Sequence, residues 1–383
     1  MAITVRYFST TGAGAADGTT WADRAELDPS GGWSTVITGF AFNASDTLKC
    51  FVGPGTYTFT TTMASGLFAN APSGANLLHF IGCDSSGNML AVPDPDWDSA
   101  MAAFDDSTFP VIATTTSIAT TSLVNASWYL MKFTASGRNG AILTGGFFDW
   151  VVISNTTANT AAIGASGHNS LTNAVVNMTG SSYDVGVSTQ TAPNSNIKLL
   201  GVTGSSGNRD GFRSAGTATL TMFDRLCVSG FGGDGGSSAS ATASHIVGFR
   251  RCTFANNGGN GVLFPTTASQ TGINVIEDCM ITGNGAYGID ATNANVIVRK
   301  TRLRDNTSGN LNGMANYPTD FNNYTTDSDD STEYVDASSA KDFRIKNTAS
   351  NVWGKGYGAG DEPSAGSSSG RIQHPGMAGG MSA

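Results

Sequence analysis

Two stretches in the second half of the chain repeat one order of residue types. Residues 250–262 read RRCTFANNGGNGV, and residues 277–289 read EDCMITGNGAYGI. In both, an apolar pair at positions i and i+2, Cys252/Phe254 or Cys279/Ile281, is followed at the same offsets by an asparagine, and then by a glycine and a β-branched residue. A unit of this length can bury its apolar side chains only against a neighbouring unit, so the repeat predicts a solenoid.

The same apolar pair recurs through the central chain. From Phe133 to Leu303, subtraction of residue numbers gives steps of 20, 25, 24, 26, 26, 27 and 22 residues between the second members of successive pairs. A further apolar residue follows most pairs, often after a glycine. The pairs are Met131/Phe133, Val151/Ile153, Val176/Met178, Leu200/Val202, Leu226/Val228, Cys252/Phe254, Cys279/Ile281 and Thr301/Leu303, and the residues that follow are Ile142, Ile163, Val187, Phe212, Val262 and Ile289.

The repeat has the period of a strand. Apolar residues alternate with polar ones, and glycine, asparagine and serine interrupt the pattern at short intervals, as turns between short strands require. The fixed leucine positions of leucine-rich repeats are absent. We therefore predict an all-β fold, a single-stranded right-handed parallel β-helix in which each repeat is one coil of about 4.8 Å rise. We also expect a short N-terminal capping helix and an extended C-terminal tail.

The composition excludes several classes of protein. Charged residues make up only 13% of the chain and the formal net charge is −9, which argues against a nucleic-acid-binding surface. No run of apolar residues is long enough to span a membrane, and the N-terminus has no signal-peptide pattern. The five cysteines show no CxxC spacing, so neither a disulfide framework nor a metal site is expected, and no cofactor is predicted. Acidic clusters at Asp94/Asp96/Asp98 and from Asp320 to Asp336 are interpreted as solvated loops, with cation binding as the alternative.

Both ends of the chain resemble one superfamily. Tyr7-Phe8-Ser9, Asp17-Gly18-Thr19, Trp21, Asp46-Thr47-Leu48 and Pro54-Gly55-Thr56-Tyr57 resemble the opening of pectate-lyase-like right-handed parallel β-helix proteins, and Asp342 to Lys346 with Gly354-Lys355-Gly356 resemble their closing coil. The resemblance implies that the capping helix lies near Trp21–Leu27. It does not choose a function, because the superfamily includes lyases, hydrolases, adhesins and viral spikes.

The domain organisation follows from the repeat and the two ends. Residues 1–60 are expected to form the N-terminal cap and the first coils, and residues 61–357 the parallel β-helix. Residues 358–383 are rich in glycine and serine and are expected to form a C-terminal tail.

Two columns of side chains appear when the coils are aligned. Asn257, Asn284 and Asn306 share one turn position, where stacked side-chain amides can form an asparagine ladder like that of pectate lyases. A second column alternates in sign from coil to coil, which favours attraction between neighbours. Its members are Lys198, Asp224, Arg250, Glu277 and Arg299.

The sequence shows no intact catalytic motif, and no catalytic residue is predicted. Asp184, Asp210 and Asp234 are the best candidate cluster, because carboxylates from neighbouring coils could serve glycoside hydrolysis. The alternative is that they are ordinary turn residues. His79, His168, His245 and His374 share no offset in the repeat, which argues against a site built on histidine.

These observations favour a non-enzymatic structural or attachment protein of a phage virion, such as a capsid decoration, fibre or spike subunit. The alternatives are a tailspike-type polysaccharide depolymerase, which would be a lyase or a glycoside hydrolase, and a bacterial surface adhesin. We expect the protein in the virion, with an extracellular location as the alternative. The expected partners are further copies of the chain in a homotrimer and other virion proteins bound through the C-terminal tail, with a host-surface glycan as a further alternative and no nucleic acid or membrane.

Overall fold

The computed structural model describes part of the chain. Side chains and backbone are described over residues 2–43, 45–61, 77–93, 104–114, 126–135, 143–155, 161–178, 185–189, 196–204, 209–214, 220–238, 246–264, 273–292 and 294–313, with some side chains in these ranges left out, and the backbone alone over 334–336 and 342–345. The acidic cluster at Asp94/Asp96/Asp98, Asp184 and the whole tail, residues 358–383, lie outside the described residues.

Short parallel strands dominate the fold, as the alternating apolar pattern predicts. The strands of the first half are β1 (Ile3–Ser9), β2 (Ala25–Glu26), β3 (Thr47–Val52), β4 (Thr56–Phe59), β5 (Leu77–Gly82), β6 (Val111–Thr114), β7 (Ala126–Ala135), β8 (Leu143–Asn155), β9 (Ala161–Met178), β10 (Val185–Thr189) and β11 (Asn196–Thr203). Those of the second half are β12 (Phe212–Ser214), β13 (Leu220–Ser229), β14 (Gly236–Ser238), β15 (Ile246–Arg250), β16 (Thr253–Ala255), β17 (Val262–Leu263), β18 (Ile273–Glu277), β19 (Met280–Thr282), β20 (Tyr287–Asp290), β21 (Asn295–Arg299), β22 (Arg302–Arg304), β23 (Gly309–Asn312), β24 (Tyr334–Asp336) and β25 (Asp342–Ile345).

Among the described residues, the strands of successive coils stack into three walls of a solenoid, and every pairing between coils is parallel. The first wall stacks β1, β3, β5, β7, β8, β9, β11, β13, β15, β18 and β21 in that order. The second wall runs through β16, β19 and β22, and the third through β10, β12, β14, β17, β20 and β23. The predicted parallel solenoid is therefore confirmed.

The register confirms most of the predicted apolar pairs and corrects two positions. Ile153 pairs with Val176, and Val176 with Val202, so the repeating pair in β9 is Ala174/Val176 and the prediction of Val176/Met178 is wrong by two residues. The third-wall residue that pairs with Ile163 is Leu143, whereas Ile142 lies outside the described residues.

The interior of the solenoid is one continuous apolar core that includes stacked aromatic rings. Trp128 stacks on Phe80 with ring centroids 4.1 Å apart, and Trp33 stacks on Phe59 at 3.9 Å. A smaller cluster lies outside the solenoid, where Phe104 and Phe109 cover Leu130, Val152 and Val175. The segment that carries these two phenylalanines is also held by an ion pair of 2.8 Å between Lys132 and Asp106.

In seven of the described coils, the residue at the bend between the first and second walls adopts a positive φ although it is not glycine. The bend residues are Leu130, Trp150, Asn173, Arg225, Arg251, Asp278 and Lys300, with φ between 46° and 58°. None is β-branched, as expected for a left-handed conformation in which branched side chains are strongly disfavoured. The bend therefore recurs at one position of the repeat while its side chain changes.

The predicted asparagine ladder is confirmed at the turn after the second wall. The Nδ2 of Asn257 donates to the Oδ1 of Asn284 at 3.0 Å, and the Nδ2 of Asn284 donates to the Oδ1 of Asn306 at 2.8 Å. Each acceptor oxygen also receives the backbone N–H of the asparagine one coil earlier, at 3.1 Å in both steps. All three side chains are buried, so these hydrogen bonds satisfy groups that water does not reach.

The N-terminal end of the core is covered, but the predicted helix position is wrong. Within residues 21–27 the only regular element is β2, which pairs with Phe8 and Ser9. A short 3₁₀ turn, Pro29–Gly31, and a four-residue helix, α1 (Thr35–Thr38), follow it. Ile37 of α1 and the neighbouring Trp33 are buried in the core. The cap is therefore built mainly after β2.

Near the C-terminal end, β24 and β25 pair antiparallel in a two-stranded sheet of their own. The residues from Asp342 were expected to close the solenoid as a further parallel coil. Their antiparallel pairing shows that these two strands form a hairpin-like pair instead.

Candidate functional site

The first wall carries one row of residues in register along the solenoid, which we call the outer row because its described side chains alternate with the core residues. The pairings connect Tyr7, Phe51, Ile81, Tyr129, Asp149, Thr172, Lys198, Asp224, Arg250, Glu277 and Arg299 in this order. Its C-terminal half is the predicted charge column, whose register is confirmed. Its N-terminal half is apolar and aromatic, which was not predicted.

Three charged residues of the outer row, Asp224, Glu277 and Arg299, form ion pairs, and one partner differs from the prediction. Arg299 Nε lies 2.9 Å from Glu277 Oε1, as expected for opposite charges in adjacent coils. Asp224 is bound by the bend residue Arg251, through Nε at 2.8 Å and Nη2 at 2.6 Å, instead of by Arg250. Such a two-pronged contact has the geometry that guanidinium and carboxylate groups favour. Among the described residues Arg250 has no ion-pair partner within 4 Å.

The bend residues add a second charge beside the outer row in the last coils. Arg251 follows Arg250, Asp278 follows Glu277, and Lys300 follows Arg299. The sign therefore alternates by doublets, positive, negative and positive, along three successive coils. Burial and the neighbouring Glu277 raise the pKa of Asp278, while the positive charges of Lys300, Arg250 and Arg251 act in the opposite direction.

At the other end of the outer row, half-buried aromatic rings lie beside polar side chains. Tyr7 and Phe51 stack with centroids 5.5 Å apart. A second set of register partners lies on the same wall, two residues before the outer row on each strand. In this set His79 pairs with Lys49 of the preceding coil and with Ser127 of the next coil. Ser127 Oγ is hydrogen-bonded to Nδ1 of His79. Burial and the nearby Lys49 lower the pKa of His79, which favours the neutral imidazole.

A serine hydroxyl on a neutral histidine is the arrangement that activates a nucleophile. The described residues contain no hydrogen-bonding partner for Nε2 of His79, so they do not complete a triad. Sequence reasoning missed the pair because 48 residues separate its members. The signal that would have found it is the alignment of His79 and Ser127 in adjacent strands of the first wall.

Asp149 lies at the boundary between the aromatic and charged halves of the outer row. Its Oδ1 accepts hydrogen bonds from Thr172 Oγ1 at 2.9 Å and from Asn173 Nδ2 at 2.8 Å. Burial raises the pKa of Asp149, and these hydrogen bonds only partly offset the effect. Burial also raises the pKa of Tyr129, with a further contribution from the Asp149 charge. The arrangement holds one carboxylate in a fixed orientation.

Within the described residues, Asp210 and Asp234 of the predicted acidic cluster are hydrogen-bonded to the backbone of the next coil. Asp210 Oδ1 accepts the backbone N–H of Asp234 at 3.2 Å, and Asp234 Oδ1 accepts the backbone N–H of Asn260 at 2.7 Å. Asn260 Oδ1 in turn accepts the N–H of Tyr287 at 3.0 Å. These residues form a second ladder, in which each side chain binds the backbone of the next coil. Burial and the adjacent Asp210 raise the pKa of Asp234, against the hydrogen bonds from Asn260.

The remaining expectations concern cysteines, metals and membranes. All five cysteines are buried free thiols, and Cys252 and Cys279 stack in adjacent coils, where the Cys252 N–H lies 3.4 Å from Cys279 Sγ. The described residues contain no cluster of three or more histidine, cysteine, aspartate or glutamate side chains that could hold a metal ion. Within the same residues, no helix has the length and apolar character needed to cross a bilayer.

Comparison with known proteins supports the fold. A family model described as a right handed beta helix region matches residues 236–362, which include the asparagine ladder and Arg250, Glu277 and Arg299 of the outer row. Neither a curated protein nor a solved structure matches the chain. A domain of this kind fits a structural or a polysaccharide-binding protein. The parallel pairing of the coils and the family match agree that the chain folds as a right-handed parallel β-helix.

Proposed function

We propose that this chain is a non-enzymatic structural or attachment protein of a phage virion, namely a decoration, fibre or spike subunit built from several copies. The observation that carries the proposal is the continuous register of the outer row from Tyr7 to Arg299. At about 4.8 Å per coil the row extends roughly 50 Å along one wall. A wall of this length, held by hydrogen bonds in every coil, suits a spacer or a projecting element of a particle.

The use of the acidic side chains supports the same proposal. Asp210 and Asp234 each accept a backbone N–H from the next coil, and Asp149 accepts two side-chain hydrogen bonds. A carboxylate that holds the backbone in this way contributes to rigidity, and rearranging it for acid–base chemistry would leave a backbone donor without its acceptor.

The test is to locate the chain on particles. Antibodies raised against the purified protein would be applied to purified virions of the source phage and viewed by negative-stain electron microscopy with gold labelling. We expect label at one part of the particle, on the head surface or on tail projections. Label on the host cell envelope with none on virions would contradict the proposal and favour a surface adhesin.

A polysaccharide-degrading tailspike is the second candidate, and one observation favours it. Half-buried aromatic rings of the outer row lie beside Lys49, His79 and Ser127, which offers stacking surfaces next to groups that can move protons. Incubation of the protein with host polysaccharide distinguishes the two candidates. If the protein released reducing ends or unsaturated products, and His79→Ala or Asp234→Asn abolished that release, the tailspike would replace the structural protein.

A further inference from the structure

An exposed aliphatic patch lies on the first wall beside the charged half of the outer row. Ile273 and Ile297 are 51% and 39% exposed, and Ile246 and Val275 are half-buried. Val275 and Ile297 are register partners in adjacent coils. Grouped exposed aliphatic side chains next to charged residues are typical of an interaction site.

Pairs of like charges line one edge of this patch, positive, negative and positive in three successive coils. The doublets are Arg250 with Arg251, Glu277 with Asp278, and Arg299 with Lys300. Because they occupy successive coils, their sign reverses with each step of about 4.8 Å. A partner that binds the patch must present aliphatic groups and must meet alternating charges at the same spacing.

The wall of a second copy has this spacing and this composition. The orientation follows from the charges. Two copies facing each other with parallel axes, in the same register, would bring Arg250 to Arg250 and Glu277 to Glu277, and like charges repel. Two copies with antiparallel axes, related by a two-fold axis between the coils of Arg250 and Glu277, would bring the doublet Arg250 and Arg251 to Glu277 and Asp278, and Arg299 to Asp224.

We propose that the C-terminal half of the first wall is an interface between two copies of this chain, which lie antiparallel with the two-fold axis between the coils of Arg250 and Glu277. Arg250 of one copy faces Glu277 of the other, and Asp224 faces Arg299. Arg250, which has no ion-pair partner among the described residues, gains one in the pair. This two-fold contact gives a dimer, whereas the sequence led us to expect a homotrimer.

The aliphatic side chains match in the same arrangement. Ile273 of one copy faces Ile246 of the other, so apolar surface meets apolar surface. Val275 faces Gly248, whose missing side chain leaves room for it. Burial of Ile273 and Ile297 removes exposed aliphatic surface from water, which stabilises the contact.

Sedimentation equilibrium of the full chain tests the contact. We expect a dimer for the native protein and a dissociation constant raised by about tenfold or more for Arg250→Glu, which places like charges across the interface twice. Glu277→Arg should have the same effect, and the double variant should restore the dimer. Lys49→Glu, a charge reversal on the same wall outside the patch, is the matched control and should leave the dimer unchanged. Ile273→Ser should weaken the dimer, whereas Met89→Ser, at an exposed residue elsewhere, should not.

Cross-linking tests the orientation, and far-UV circular dichroism confirms that each variant is folded. The native cysteines are buried, so a short bismaleimide would react with an introduced thiol. Ile273→Cys should be cross-linked between copies. Lys49→Cys should not, because the two copies of this position lie roughly 70 Å apart in the antiparallel pair. A monomer, a trimer, a dimer that Arg250→Glu leaves intact, or cross-linking at both positions would overturn the proposal.

Discussion

Replacing Asn284 by alanine should destabilise the solenoid more than any change at an exposed asparagine. Asn284 is fully buried, and its Oδ1 accepts both the backbone N–H and the Nδ2 of Asn257, at 3.1 and 3.0 Å. After Asn284→Ala, the Asn257 N–H loses its acceptor, and the Nδ2 retains only the Val228 carbonyl oxygen at 3.5 Å. Each buried donor left without a partner costs about 1–3 kcal/mol, so we expect a loss of about 3–5 kcal/mol in the free energy of unfolding.

The assay is urea unfolding followed by far-UV circular dichroism, with hydrogen exchange at the backbone amide of Asn257 as a local measurement. Because each coil contacts only its neighbours, that amide should exchange faster in the variant. The control is Asn312→Ala, since Asn312 is half-exposed and its Nδ2 lies 3.5 Å from Thr292 Oγ1. The control should change stability by about 0–1 kcal/mol. Equal losses in the two variants, or unchanged exchange at Asn257, would refute the reasoning.

Three further predictions concern packing, pH and the tail. Gly261→Ala should lower stability by about 1–3 kcal/mol in urea unfolding, because its Cβ would lie 2.3 Å from Ile281 Cγ2, whereas Gly32→Ala, where the nearest atom is 3.6 Å away, should have little effect. Burial raises the pKa of Asp149 above 3.8, so the folded state loses stability as the pH rises from 3.8 through the raised pKa. Asp149→Asn should therefore be more stable than the native protein at about pH 7 but not at about pH 3. Equal differences in the free energy of unfolding at both pH values would contradict this. Deletion of residues 361–383 should leave the far-UV circular dichroism unchanged but weaken incorporation into particles, and normal incorporation would show that the tail is a passive terminus.

The solenoid could be predicted because its inward residues recur at two periods, one within the strand and one from coil to coil. The error at Val176/Met178 has a physical cause. Ala174, Val176 and Met178 alternate on one strand, and a shift of two residues keeps every side chain on the same face. The pattern therefore cannot distinguish the two registers, and only the pairing with Ile153 and Val202 does so.

The predicted position of the capping helix was wrong because strand pairing outweighed the local helix propensity of residues 21–27. The residues after Trp21 include alanine, arginine, glutamate and leucine, which favour helix. Ala25 and Glu26 instead pair with β1, while the helix forms at Thr35–Thr38, where threonine, valine and isoleucine disfavour it. Tertiary contacts of Trp33 and Ile37 with the core decide this part of the structure.

The candidate site was predicted only where the coils have regular lengths. The charge column lies among repeats of similar length, so a constant offset found it. The aromatic half of the outer row lies among coils interrupted by long insertions, as between Ile81 and Tyr129, and a search at a fixed period does not cross them. The same insertion separates His79 from Ser127.

At the left-handed bend between the first and second walls, the side chain changes from coil to coil while the backbone conformation stays the same. At this position Leu130 and Trp150 pack in the smaller cluster around Phe104, whereas Asn173 binds Asp149 and Arg251 binds Asp224. The backbone is the same in each case, because the bend excludes branched side chains but accepts apolar, amide and charged ones. Evolution can therefore rewrite the chemistry of this edge one coil at a time without disturbing the buried residues beneath it, which makes the edge a natural place for the rod to acquire new partners.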